Sequence, residues 1–209
     1  MTMASVLDVR GDPARVAEDR SVLFSETALE VFIEAAAAEY ASITPDEPRP
    51  CFGVLLGTGA DGSYLVERVE FGRNARTTSP AARQEFETTI VPRFGSAYEN
   101  PVRAWWLDPA DLLRISRRAD DLGCDILGSI HLHPDWHRLG PESERHRPLS
   151  DRPSAMDEYV FRGCGWPINV VCYLEKRHGD LYYSIAAWDG ACLPLPLRVR
   201  TTVPGSRRG

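Results

Sequence analysis

Three prolines fall within the seven residues Thr44 to Pro50, and each one removes an amide donor and fixes φ, so neither a helix nor a paired strand can run through them. The segment is a rigid connector between two patterns of different period. Before it, Leu29, Phe32, Ile33 and Ala36 keep helical spacing, and Ser25 stands as N-cap three residues ahead of Ala28. This predicts a short strand, Ser21 to Phe24, followed by a helix to about Ala41. After the connector, Cys51 to Gly57 is an apolar run, Ala60 to Ser63 a turn, and Tyr64 to Phe71 alternates with period two, which together predict a hairpin.

The same reasoning predicts a helix over 80–94, and another over 109–121 with Asp108 as N-cap, Gly123 as terminator and Leu112, Leu113 and Ile115 facing inward. Asp125 to Leu132 is an apolar strand, 154–161 a short helix, and 169–174 and 182–188 two more strands. Hairpins interspersed with helices point to an α/β fold with one mixed sheet, not to repeated βαβ units. Gly57, Gly59 and Gly62 lie between strands and open no helix, so they are not a nucleotide-binding loop. Residues 1–20 and 201–209 carry no periodic pattern and are expected to be flexible, leaving 21–200 as one domain.

The chain has 209 residues, 43% of them hydrophobic and 26% charged, enough to bury a core without a structural metal or disulfide. Its five cysteines form no CxxC pair and read as buried thiols. A formal charge of −6 argues against a nucleic-acid or membrane-surface binder, since those carry a basic footprint. No apolar run reaches the length needed to cross a bilayer and no secretory leader is visible, so the expected address is cytoplasmic.

The segment that carries chemistry is Gly128-Ser129-Ile130-His131-Leu132-His133-Pro134, at the end of an apolar strand. Residues i and i+2 of a strand share a face, so His131 and His133 present two imidazoles to one point. Downstream, Pro153-Ser154-Ala155-Met156-Asp157 opens a helix, which puts Asp157 in its first turn, able to add an oxygen ligand to a zinc ion. Three protein ligands leave a fourth tetrahedral position for water, the arrangement of a catalytic rather than a structural zinc. The bland alternative is two strand-end histidines satisfied by hydrogen bonds and a serine acting only as N-cap.

The HxHP strand followed by PSxxD resembles the JAMM (MPN+) zinc metalloprotease family, and the likeness runs from about Val22 to Trp188. The resemblance implies a cytidine-deaminase-like mixed sheet flanked by helices, Zn2+ held by His131, His133 and Asp157, and Ser154 beside the oxyanion. It implies hydrolysis of an amide or isopeptide bond, at the C-terminus of a ubiquitin-like sulfur-carrier protein or in a related small amide, by a stand-alone chain; a homodimer is compatible with this reading, and the oligomeric state is left open. The alternative is a zinc-binding pseudoenzyme or an MPN-like scaffold without turnover.

Two departures from the family pattern bear on mechanism. The family's water-activating glutamate stands three residues before the first glycine of the second strand, where this chain has Pro50; Glu47 precedes that slot by three residues and is the candidate general base. An insertion at about 135–152 lengthens the passage from His133 to Ser154. It offers Asp135, His137, Glu142 and Glu144 as substitute base or extra ligand and Trp136 as a pocket wall, or else it is simply a solvated loop.

Overall fold

The computed structural model describes residues 20–146 and 152–201. The terminal segments expected to be flexible lie almost wholly outside the described residues, as do residues 147–151 of the insertion. The chain opens with strand β1 (Ser21–Ser25) and helix α1 (Glu26–Tyr40), capped by the Ser25 hydroxyl accepting from the Ala28 amide at 3.1 Å. The hairpin β2 (Phe52–Ala60) and β3 (Ser63–Phe71) follows the proline connector.

Helix α2 (Pro80–Glu85) passes through a π-turn at Phe86–Ile90 into α3 (Val91–Phe94), so the segment expected as one helix is helical but underwound in its middle. Helix α4 (Pro109–Leu122) is capped by Asp108 and ended by Gly123 in the left-handed region. Then come β4 (Asp125–Pro134), the single turn α5 (Trp136–Leu139), α6 (Ala155–Cys164), β5 (Ile168–Arg177), β6 (Asp180–Trp188), β7 (Pro194–Leu195) and β8 (Leu197–Arg200).

All eight strands join one mixed sheet in the order β7-β6-β5-β4-β2-β3-β1-β8. β4 runs parallel to β5 and antiparallel to β2, in the middle of the sheet, where both faces are covered. On one face α1 packs Leu29, Phe32 and Ile33 against Leu55, Val66, Ile130, Val170 and Leu174. On the other, α4 sets Ile115 and Ala119 against Val54 and Leu56, and α6 sets Phe161 against Val171, Tyr173 and Trp188. Leu113, expected to face inward, is 52% exposed, because the α4 stripe meets the sheet only through Ile115 and Ala119. Strands β7 and β8 were not anticipated; they are too short to show alternation.

One irregularity decides where the histidines point. The β2–β4 register slips between Leu55 paired with Gly128 and Leu56 paired with Ile126, so Leu127 is an extra residue. Leu127, Ile130 and Leu132 therefore all join the α1 core, while Ser129, His131 and His133 face α6. Gly128 makes the bulge possible: its φ is +157°, and a Cβ there would lie 1.6 Å from the Ile168 carbonyl oxygen. Among the described residues no helix is long and apolar enough to cross a membrane.

Candidate metal centre

His131 and His133 leave β4 on the α6 side, and Asp157 comes down from the first turn of α6. The His131 and His133 Nε2 atoms are 3.0 Å apart; Asp157 Oδ1 is 3.1 Å from the first and Oδ2 3.3 Å from the second. All three residues are buried. Ligands at first-row metal distances of about 2.0–2.1 Å on a tetrahedron are about 3.3 Å from one another. The two imidazole nitrogens stand near that spacing and each has its own Asp157 oxygen beside it, Oδ1 for His131 and Oδ2 for His133, so two imidazole nitrogens with one carboxylate are a donor set that could hold a metal ion. The Nδ1 atoms of both histidines have no hydrogen-bond partner among the described residues, so both rings offer Nε2 inward without a competing tie at the other nitrogen.

The carboxylate is fixed before any metal arrives. Ser154 caps α6 by accepting from the Asp157 amide at 3.1 Å, and its own amide and hydroxyl donate to Asp157 Oδ2 at 3.0 and 2.7 Å. This reciprocal capping box orients the Asp157 carboxylate and stabilises the helix start together. Burial would push the Asp157 carboxyl up, but the two imidazoles against it hold it well below the usual carboxylate range. Burial drives His133 down, outweighing Asp157, and leaves the neutral ring that metal ligation needs.

The pocket over this triad is walled by Pro48, Arg49, Pro50, Tyr98, Arg103, Trp105, Trp136, Leu139 and Val160. Trp136 lies flat on the His133 ring, 4.3 Å between centroids at 7°, and its indole nitrogen donates to the Glu144 carbonyl. Gly140 leaves room for that ring, since a Cβ there would lie 2.8 Å from Trp136 Cδ2. Trp105 stacks on Phe52 at 4.9 Å and faces His131.

The insertion is in part packed rather than solvated: Asp135, Leu139 and Glu144 are buried. The candidate bases do not line the pocket. Glu47 is exposed beside it and pairs with Arg49 at 2.9 Å. Asp135 adopts a positive φ of 38° and turns away from the triad, accepting from Tyr40, Arg138 and the Lys176 amide. His137 is exposed, 3.6 Å from Glu175, and Glu142 is exposed. Glu144 accepts from the Ala155 amide at 3.1 Å, at the start of α6. Asp157 is the one carboxylate among the described residues that line this pocket.

Tyr98, Arg103 and Trp105 were not singled out for the site from the sequence, with Trp105 taken only as core or lip. They reach it on a long excursion between β3 and α4 whose neck is closed by Asn74: its Oδ1 accepts from the Trp106 and Arg76 amides and its Nδ2 donates to the Ala104 carbonyl. Arg76 braces the interior, donating to the Tyr98 and Asn100 carbonyls with its guanidinium 3.8 Å over the Phe86 ring. No sequence period marks such a loop; the pair of Asn74 and a distant Trp-rich stretch carries no local signal.

No family model matches the chain, and no curated protein does. Among solved structures, a protein from Desulfitobacterium hafniense aligns with a TM-score of 0.51 at 14% identity, over 88% of this chain and 95% of its own. That likeness supports a shared mixed α/β fold. A JAB1/MPN domain protein from Archaeoglobus fulgidus aligns at 0.39 with 13% identity over 86% and 97% of the two chains. A Salinibacter ruber protein aligns at 0.41 with 18% identity over 84% and 90%. The last two scores are too low to carry an argument.

Proposed function

We propose that this chain is a zinc-dependent hydrolase of amide or isopeptide bonds, of the JAMM/MPN kind that its HxHP and PSxxD segments resemble. The observation that carries the reading is the convergence of His131, His133 and Asp157, whose ligand atoms lie within 4.8 Å of one another, in the lining of a pocket. Zinc bound there supplies a Lewis acid and a water acidified towards neutral pH.

The chain's own residues account for the remaining requirements. Ser154 positions Asp157 and places a hydroxyl beside the reacting carbonyl. Trp105 and Trp136 wall the pocket against water, which strengthens every charge interaction inside it. Glu47 is the carboxylate assigned to move the proton. It reaches the pocket only by turning its side chain away from Arg49, and an exposed ion pair of that kind resists little. The substrate class this reading favours is the C-terminal amide of a ubiquitin-like sulfur carrier or a related small amide.

A second reading, metal binding without turnover, is favoured by one specific observation: no carboxylate besides Asp157 lines the pocket among the described residues. The test is elemental analysis of wild type, His133→Ala and Asp157→Ala purified without added zinc, with hydrolysis of an amide panel followed in wild type and Glu47→Gln. Near-stoichiometric zinc in wild type alone, with turnover lost in Glu47→Gln, is the expected result. Zinc with no turnover of any amide selects the second reading, and a folded wild type that takes up no zinc overturns both.

A further inference from the structure

Arg103 stands out among the partly buried arginines. Arg76 spends its donors on two carbonyls and Arg20 pairs with Asp189, yet Arg103 makes no side-chain hydrogen bond or ion pair among the described residues, and its Nε is wholly buried without a partner. Leaving that N–H this way is costly, since it loses water and gains no partner. It lines the same pocket as the metal triad, with Arg49. The neighbouring charge makes matters worse: burial drives Arg103 down and Arg145 adds to that, with only the Tyr98 phenol opposing. The one carboxylate in the lining, Asp157, is already engaged by two imidazoles and Ser154.

We propose that Arg103 is the anion-recognition residue of this pocket and that the substrate is an amide bearing a free carboxylate close to the scissile bond, as in an acylated amino acid or the last residue of a peptide. A planar guanidinium pairs with a carboxylate through two parallel hydrogen bonds. Arg49 already has Glu47 as its partner, so Arg103 is the one lining arginine without a carboxylate among the described residues, and its single charge in a pocket walled largely by Trp105, Trp136, Leu139 and Val160 suits a carboxylate better than a phosphate dianion. The proposal deepens the hydrolase reading and rests on it for the word substrate; the binding preference itself does not depend on turnover.

The test compares N-acetylglycine with N-acetylglycinamide, which differ only in the charge of the terminal group, by calorimetry on the protein as purified and again after chelation, which removes carboxylate binding to the metal. Wild type is expected to prefer the acid by about tenfold or more, the size of one charge-assisted hydrogen bond. Arg103→Gln is expected to abolish the preference and Arg103→Lys to keep part of it, with zinc content unchanged in both. Equal affinity for acid and amide in chelated wild type, absence of binding by either, or a preference that survives in folded Arg103→Gln overturns the proposal. The wild-type comparison stands even where a variant fails to fold. A protein that shows the acid preference but neither holds zinc nor turns over any amide retains the anion site and loses the hydrolase reading, so the two failures are distinguishable.

Discussion

Replacing Ser154 with alanine separates two jobs performed by one hydroxyl. As N-cap, Oγ accepts from the Asp157 amide at 3.1 Å; as a brace, it donates to Asp157 Oδ2 at 2.7 Å. Loss of a serine cap costs about 1 kcal/mol, and for a chain of this length that lowers Tm by about 2–4 °C. Loss of a hydrogen bond behind a metal ligand weakens metal binding by about 10- to 100-fold. The Ser154 amide still donates to Oδ2 at 3.0 Å in the variant, so one of the carboxylate's two braces survives and the loss falls near the lower end, about tenfold. Melting of the chelated protein reads the cap, and competition with a chromophoric zinc chelator reads the brace. Ser154→Thr, which keeps the hydroxyl, restores both. A Tm that falls while zinc affinity stays at the wild-type value refutes the positioning role and leaves Ser154 as a helix cap alone.

Gly128→Ala places a methyl group against the Ile168 carbonyl and forces the β4 bulge to re-form, so it is expected to destabilise the fold by about 3 kcal/mol or more and to lose zinc; urea unfolding at wild-type stability contradicts the bulge argument. Gly140→Ala displaces the Trp136 ring from His133, which is expected to alter the near-ultraviolet circular dichroism while the far-ultraviolet spectrum stays unchanged; identical near-ultraviolet spectra count against the stack. For Asp135, burial pushes the carboxyl up, but hydrogen bonds from Arg138, the Lys176 amide and Tyr40 outweigh it and hold it below the usual carboxylate range. A depressed folded value stabilises the protein above the unfolded value of about 3.9 and loses that stabilisation as pH falls through the folded value. Asp135→Asn is therefore expected to be less stable than wild type at neutral pH, with the gap closing below about pH 4; a gap of constant size in urea titrations down to pH 3 is the contrary result.

The parts of the site legible in the sequence are those governed by local periodicity. His131 and His133 share a face because a strand repeats every two residues, and Ser154 and Asp157 meet because a capping box spans three. What was not legible depends on contacts between distant segments. The side of the sheet on which the histidines emerge is set by the Leu127 bulge, visible only once β2 is aligned beside β4. Tyr98 and Arg103 arrive on a loop pinned by Asn74 and Arg76, whose partners lie 22 to 32 residues away along the chain. The exposed Leu113 fails for a related reason: helical spacing marks an apolar stripe, but how wide a stripe the sheet covers is a tertiary quantity.

The insertion between β4 and α6 shows why a charge-rich stretch cannot be assigned to solvent from composition. Three of its residues each tie down a different wall of the site. Asp135 holds the end of β4 to α1 and β5 through Tyr40 and the Lys176 amide. Trp136 covers the His133 ring. Glu144 accepts from the Ala155 amide at the start of α6, next to the serine that fixes Asp157, where a negative charge also meets the positive end of the helix. Cutting the insertion back would therefore uncover one candidate ligand, His133, and free the helix that supplies another, Asp157. The segment that departs from the family pattern thus supplies the Trp136 cover on His133, and in the low-dielectric pocket that Trp136 helps to wall, a charge such as Arg103 acts more strongly on a ligand than it would in water.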